Sequence, residues 1–272
     1  MDAQLTWLLD EHQEEEASNL RAAIEAIGDL HITISRQEAR YGTAALTIPL
    51  QSCPTLAYGS FEFVKAVRSD FYPGKWCDWT ALRCERYYAR VGALLLNDDY
   101  VLLPAGEVLR RQKDLLESWN RVFMRPVRAD KPFAGFVAAR DRPEEIERNL
   151  RCVEAHELIV LARPKRIEAE YRAIVMRERG IVAVSQYMQD GERHLHPQIP
   201  AQARQVTEEV VQALGNDFPD PMYVVDIARS QGLYRLLEIN SFSASLFYTC
   251  DLEAVVRAAH AEAMREWHEI NA

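Results

Sequence analysis

A chain of 272 residues, 48% hydrophobic and 27% charged, is long enough to bury a large core and to divide into two domains. Its 32 Lys+Arg against 41 Asp+Glu leave a formal charge of -9, which disfavours a nucleic-acid partner and requires any anionic substrate to be held by local basic groups. Apolar runs fall short of the roughly 18 residues of a membrane helix, and Met1–Asp10 carries acids where a secretory signal wants lysines, so a soluble cytoplasmic protein with no membrane partner is expected.

Leu5–Leu9 reads as a strand, followed by a helix with Leu20, Ile24 and Ile27 on one stripe and Gly28 as its stop. Ala44–Pro49 and Thr55–Tyr58 read as strands, and Gly59-Ser60 opens a helix through Phe61, Val64 and Val67. This alternation predicts an α/β layer of covered parallel strands. Tyr72-Pro73-Gly74 is a turn, the aromatic piece Trp76 to Tyr88 resists assignment, and Asn97–Gly106 marks a domain boundary. A helix is expected from Glu107 to Trp119, a strand at Val122–Met124, a basic, glycine-containing loop from Arg125 to Gly135, then Phe136–Ala138. Pro143 with Glu144 and Glu145 suits a helix start. Leu158–Leu161, Ala169–Val175 and Ile181–Tyr187 are β-prone, the last two joined across Arg177–Gly180, and Val206, Val210 and Leu214 share a helical face. Asp251 suits the N-cap of a last helix that packs through Leu252, Val255, Val256, Ala259 and Trp267. No internal repeat appears, and five cysteines without CxxC spacing predict free thiols.

Met222 to Asn240 is the most informative segment. Tyr223–Ile227 and Tyr234–Asn240 flank a turn containing Gly232, and a hairpin centred there sets Asp226 opposite Glu238 with Asn240 on the same face. Facing carboxylates repel unless a cation or a shared proton lies between them. Two acids and an amide carbonyl form an all-oxygen set suited to Mg²⁺. A solvated hairpin face balanced by Arg229 or Arg235, and a glycosidase-type acid/base pair, are the competing readings.

Asp226, Glu238-Ile239-Asn240, Ser241 to Ser245 and Tyr248-Thr249-Cys250-Asp251 together resemble the C-terminal signature of ATP-grasp proteins, and specifically a small clade carried by bacteria and phages. The likeness extends to Phe123-Met124-Arg125-Pro126 before Lys131-Pro132-Phe133-Ala134-Gly135, to Pro164–Arg172 before Val182–Tyr187, and to Gly59-Ser60, Tyr72-Pro73-Gly74 and Leu96–Tyr100 before Leu103–Glu107. It implies a mixed α/β and α+β architecture, with an N-terminal α/β pre-grasp domain over residues 1–105 and an ATP-grasp nucleotide-binding domain over 106–272. It implies ATP and Mg²⁺ as cofactors, and Leu158–Ala162, with Leu161, as the place where backbone groups meet adenine. The activity implied is a ligase that phosphorylates a carboxylate and lets an amine or similar nucleophile displace phosphate, acting on a small molecule or a peptide.

Asp226, Glu238 and Asn240 are then the candidate metal ligands. A triphosphate brings about four negative charges, so basic side chains must supplement the metal, and Lys131 is the first candidate with Arg125 as companion. Arg172, inside a β-prone run on the parity of Glu170, is expected to face a polar cleft and to clamp the transferred phosphoryl group. Lys165 and Arg166 precede that strand as further nucleotide contacts, and Glu170 suits ribose hydroxyls or the orientation of Arg172. Ser185 and Tyr187 are expected beside the same cleft. His194 and His196 lack a third ligand, and Trp76, Trp79, Tyr87 and Tyr88 read better as core than as an acceptor platform. No Walker-type loop or nucleophile elbow occurs. The class-distinct alternatives are a catalytically inactive nucleotide-binding regulator, and a kinase or RNA-end-modifying enzyme using the same site.

Overall fold

A computed structural model describes residues 4–11, 14–41, 53–216, 218 and 220–272; the strand expected at Ala44–Pro49 lies outside them. The chain opens with β1 (Thr6–Asp10), α1 (Glu14–Ala26), β2 (Leu30–Ile34), α2 (Arg36–Tyr41), β3 (Thr55–Tyr58), α3 (Phe61–Ala66) and β4 (Pro73–Gly74). These strands form a sheet in the order β2-β1-β3-β4, parallel throughout. Every residue of β1 and β3 is buried, which is why both read as short unbroken apolar runs rather than alternating ones. The predicted α/β layer is therefore present.

The aromatic piece that resisted assignment becomes a loop followed by α4 (Cys84–Val91), whose Tyr87 and Tyr88 are core residues. Asn97–Gly106, expected as a boundary alone, contains β5 (Val101–Pro104), which pairs with a strand far along the chain, a partnership no local pattern reveals. The helix expected over Glu107–Trp119 is two helices, α5 (Ala105–Arg110) and α6 (Gln112–Trp119), broken where Arg111 takes φ -107° and ψ 15°. There follow β6 (Arg121–Pro126), β7 (Phe136–Ala139), α7 (Glu144–Leu150) and β8 (Leu158–Ala162), giving a second, antiparallel sheet in the order β5-β8-β6-β7.

A third sheet is built from β9 (Ala169–Met176), β10 (Gly180–Gln189), β11 (Glu192–His196), β12 (Met222–Ser230) and β13 (Leu233–Ser241), in the order β11-β10-β9-β12-β13. The helix α8 (Ala201–Leu214) lies between β11 and β12 in sequence. The last helix, α9 (Leu252–Asn271), begins at Asp251, whose carboxylate accepts the Ala254 N–H at 3.0 Å as the N-cap. The five cysteines are free.

One face of the third sheet, through Tyr223, Val225, Ile227, Leu236 and Ile239, shares an apolar core with α4, α8 and Val160 of β8. The other face, through Ile174, Met176, Met222 and Val224, shares a core with β1, α1, β3 and α9. That second core stops at Ile174 and Val224. The polar side chains described next begin one residue pair further along the same face.

Candidate functional site

The turn between β12 and β13 is a two-residue one, Gln231-Gly232, with φ 52° and 75°, the left-handed pair that matches the twist of a hairpin. A regular ladder closed by this turn would set Asp226 opposite Leu237 and send Glu238 into the apolar face. The ladder is not regular: the register shifts between Asp226 and Ile227, so that Ile227 pairs with Leu236 but Asp226 pairs with Glu238. Leu236 and Ile239 thereby share the apolar face although three positions apart, and Glu238 and Asn240 stand with Asp226. The expected juxtaposition holds, through a bulge instead of a turn centred on Gly232.

Cross-strand register continues the row. Asp226 pairs with Arg172 of β9, and Arg172 with Ser185 of β10, so Glu238, Asp226, Arg172 and Ser185 run side by side across four strands. Arg172 grips Asp226 with two bonds, Nε to Oδ1 at 2.8 Å and Nη2 to Oδ2 at 2.7 Å, and its Nη1 donates to the Leu246 carbonyl at 2.7 Å. Both side chains are buried. The guanidinium carbon also lies 5.3 Å from the Tyr187 ring and 4.9 Å from the Tyr248 ring, two rings stacked at 4.8 Å. Burial favours loss of the Arg172 proton, but the Asp226 charge and hydrogen bonds outweigh it and hold the guanidinium firmly protonated. Ser185 bonds Thr249 at 2.7 Å, tying the segment after β13 to the far side of the row.

Glu238 is met from the second sheet. Arg125, on β6, donates to its Oε2 at 3.0 Å and to the Leu237 carbonyl at 3.2 Å, the latter exposed by the bulge. Lys131, between β6 and β7, donates to Oε1 at 2.6 Å. Burial opposes ionisation of Glu238, yet these two cations win and hold it well below the usual carboxylate range. The Asn240 amide nitrogen donates to both acids, at 3.0 Å to Asp226 and 3.1 Å to Glu238, so one atom marks the point on which the carboxylates converge. The counter-charge that sequence reasoning assigned to a metal ion is supplied in the structure by Arg172, Arg125 and Lys131.

The remaining candidates stand apart. Glu170, two residues before Arg172, accepts the Tyr187 hydroxyl at 2.6 Å, and burial with the nearby Asp226 and Glu238 charges raises its pKa. Lys165 pairs with Asp99, and Arg166 is exposed near Asp190 at 3.6 Å. Leu161 sits in a strand paired on both sides, its side chain in the core beneath α5 to α7. Where β8 ends, a groove of about 770 Å³ is lined by Asp99, Trp119, Arg121, Arg163 and Pro164. His194 and His196 are exposed on the edge strand β11, and among the described residues no group of three or more His, Cys, Asp or Glu is placed to hold a metal. Tyr248, and the Lys65–Asp130 pair at 2.7 Å, carry no sequence signal for the contacts they make, because those contacts join segments far apart in the chain.

The donor set suits a hard divalent ion. A carboxylate has about four lone-pair sites; Asp226 accepts three bonds and Glu238 three, which leaves about one open on each. The Asn240 amide turns its nitrogen to the acids, and rotation by half a turn about its last side-chain bond would put its carbonyl oxygen in that place, a third oxygen of the partial set expected where phosphates and water complete the shell.

Residues 108–258 match a family model described as an ATP-grasp domain, the second family of its clade. No curated protein matches the chain. Among solved structures, D-cycloserine synthetase DcsG is similar over 95% of this chain and 99% of its own, at 14% identity and a TM-score of 0.64. The ATP-grasp ligase PsnB, in complex with a phosphomimetic variant of its minimal precursor, Mg and ADP, aligns over 97% and 99% at 13% identity and a TM-score of 0.61. D-alanyl-alanine synthetase A from Vibrio cholerae aligns over 97% and 99% at 11% identity and a TM-score of 0.66.

Proposed function

Because the chain belongs to the ATP-grasp superfamily, we propose that it is an ATP- and Mg²⁺-dependent ligase joining a carboxylate to an amine or similar nucleophile through an acyl phosphate. The observation that carries this reading is the convergence of three cations from two sheets on two metal-competent carboxylates. Such a site can hold a divalent ion with its acids and still offer positive charge to phosphate.

In this reading Asp226, Glu238 and the Asn240 carbonyl hold Mg²⁺, which when bound offsets charge on the phosphate oxygens. Lys131 and Arg125 leave Glu238 for the phosphates. Arg172 lies between Asp226 and the Leu246 carbonyl, where it stabilises charge on the phosphoryl group in transfer. Alignment of the acceptor carboxylate with the γ-phosphate supplies much of the rate, and no side chain need become a covalent nucleophile. Glu170 and Lys165 serve the nucleoside end, and Leu161 acts there only through its strand. PsnB is seen with Mg, ADP and a variant of its minimal precursor, and elsewhere with a precursor peptide, while DcsG is a synthetase of a small molecule, which supports either size of acceptor.

We divide the chain at about residue 105 into a pre-grasp part and a nucleotide-binding part, with β5 and α9 crossing the division to pack against the other side. Among the described residues no helix is long and apolar enough to cross a membrane. The free cysteines are in keeping with the cytoplasmic setting we propose.

The test is calorimetric titration of MgATP, followed by assay of ADP and phosphate release across panels of carboxylates and amines. Metal-dependent ATP binding with acceptor-dependent phosphate release is expected. Absence of MgATP binding would overturn the reading. Binding with no turnover would favour the regulatory alternative, and ³²P transfer to a hydroxyl or to RNA would favour the kinase-like one.

A further inference from the structure

We propose that Lys65 is a positioning residue, presetting the backbone of Lys131 beside the acid row by holding Asp130, its neighbour in the chain. The clasp rests on geometry alone; its consequence for nucleotide binding rests on the function proposed above.

The helix α3 that carries Lys65 is clamped at both ends. At its start Ser60 donates its hydroxyl and its N–H to the Asp10 carboxylate, the N–H at 3.0 Å, and accepts the Phe63 N–H at 3.3 Å. Any side chain at Gly59 would drive a Cβ into the Cβ of Asp10 and the Phe63 ring. At its end the Lys75 ammonium donates to the carbonyls of Val64 and Val67, at 2.8 and 3.1 Å. Lys65 thus projects from a fixed base, its Nζ 2.7 Å from Asp130 and 5.8 Å from the centroid of the Trp79 ring.

Asp130 is nearly closed off from solvent, its side chain 6% exposed. It also accepts two bonds from Arg128, at 2.8 and 2.6 Å, and Arg128 reaches Glu157 beside β8 at 3.6 Å. The next residue is Lys131, with φ 45°, a left-handed conformation that a lysine keeps only when its surroundings enforce it. Residues 128–131 therefore form a node tied to α3, to the second sheet and, through Lys131, to β13. The Arg128 bonds are local, two residues apart. Among the described residues the bond from Lys65 is the one that fixes Asp130, and with it the backbone of Lys131, to another layer.

Hydrogen exchange of the ligand-free protein and MgATP titration test this on Lys65→Met and Lys65→Arg. With the lysine half exposed and Asp130 still held by Arg128, the expected effect in Lys65→Met is about threefold to fivefold, in faster exchange at residues 128–135 and in weaker MgATP binding. Lys65→Arg, which keeps the charge, is expected to restore both, and the melting temperature of Lys65→Met is expected to fall by only about 1–3 °C. Wild-type exchange and affinity in Lys65→Met, or an arginine variant as disturbed as the methionine one, would overturn the proposal. If the wild-type protein bound no MgATP, the functional reading would fall while the exchange arm still decided the clasp.

Discussion

Arg172 and Asp226 face each other where almost no water reaches, and that fixes what their substitution does. Breaking the pair from one side strands a buried charge: Asp226→Asn is expected to cost about 3–5 kcal/mol, whereas Arg172→Met with Asp226→Leu together is expected to recover most of the loss. Urea denaturation of the three proteins checks this. Glu238→Gln keeps the shape but removes the charge that Lys131 and Arg125 share, so metal-dependent phosphate release is expected to fall about 100-fold or more. Steady-state assay at saturating Mg²⁺ reads the outcome, and unchanged turnover would remove Glu238 from the metal site. A third acid matters through pH. Burial pushes the Asp220 carboxyl from an ordinary 3.8 up to about 7, with the Asp78 and Glu266 charges adding to it. Between those values the folded chain holds a proton that the unfolded chain has released, so stability contributed by this group declines as pH rises from about 4 to 7. Asp220→Asn, whose carbonyl can still accept the Asp78 N–H, is expected to flatten that decline in melting curves taken across the range.

At the scale of elements, the β12–β13 hairpin shows how much local pattern can carry. The alternation of Tyr223–Ile227 and Tyr234–Asn240 about Gly232 brings Asp226 within one residue of Glu238, because a hairpin depends on neighbours in the chain, and the bulge completes the pairing. The bulge was not legible, since a ladder carrying one extra residue reads like a turn displaced by half a residue. Nor was β5, whose partner β8 lies far along the chain, or the pairing of Glu238 with Arg125 and Lys131 across more than a hundred residues. Charge told that these groups need partners; only the packing of sheets told which. The turn itself makes a prediction. Gln231 has φ 52°, which costs a side chain without local hydrogen bonding more than it costs asparagine. Gln231→Asn is expected to stabilise the protein by about 0.5–1 kcal/mol with MgATP affinity unchanged, measured by denaturation and calorimetry.

Over the whole molecule the sheets are not independent bodies. The core joining the first and third sheets is completed by α9, whose Val255, Val256, Ala259 and Ala263 lie among Leu5, Trp7, Leu20, Ile24, Ile174 and Val224. A charge placed there acts on both sides at once. Val256→Asp is expected to cost about 3 kcal/mol or more, and the melt followed by circular dichroism is expected to shift as one transition, not to split into separate N-terminal and C-terminal steps. This packing also bears on synthesis. Proteins usually fold from the N-terminus as they leave the ribosome, but here the opening α/β layer awaits a helix contributed by residues 252–271. A nascent chain stalled before that helix would leave the apolar side of β1 and β3 open to chaperones and proteases until residues 252–271 arrive to cover it.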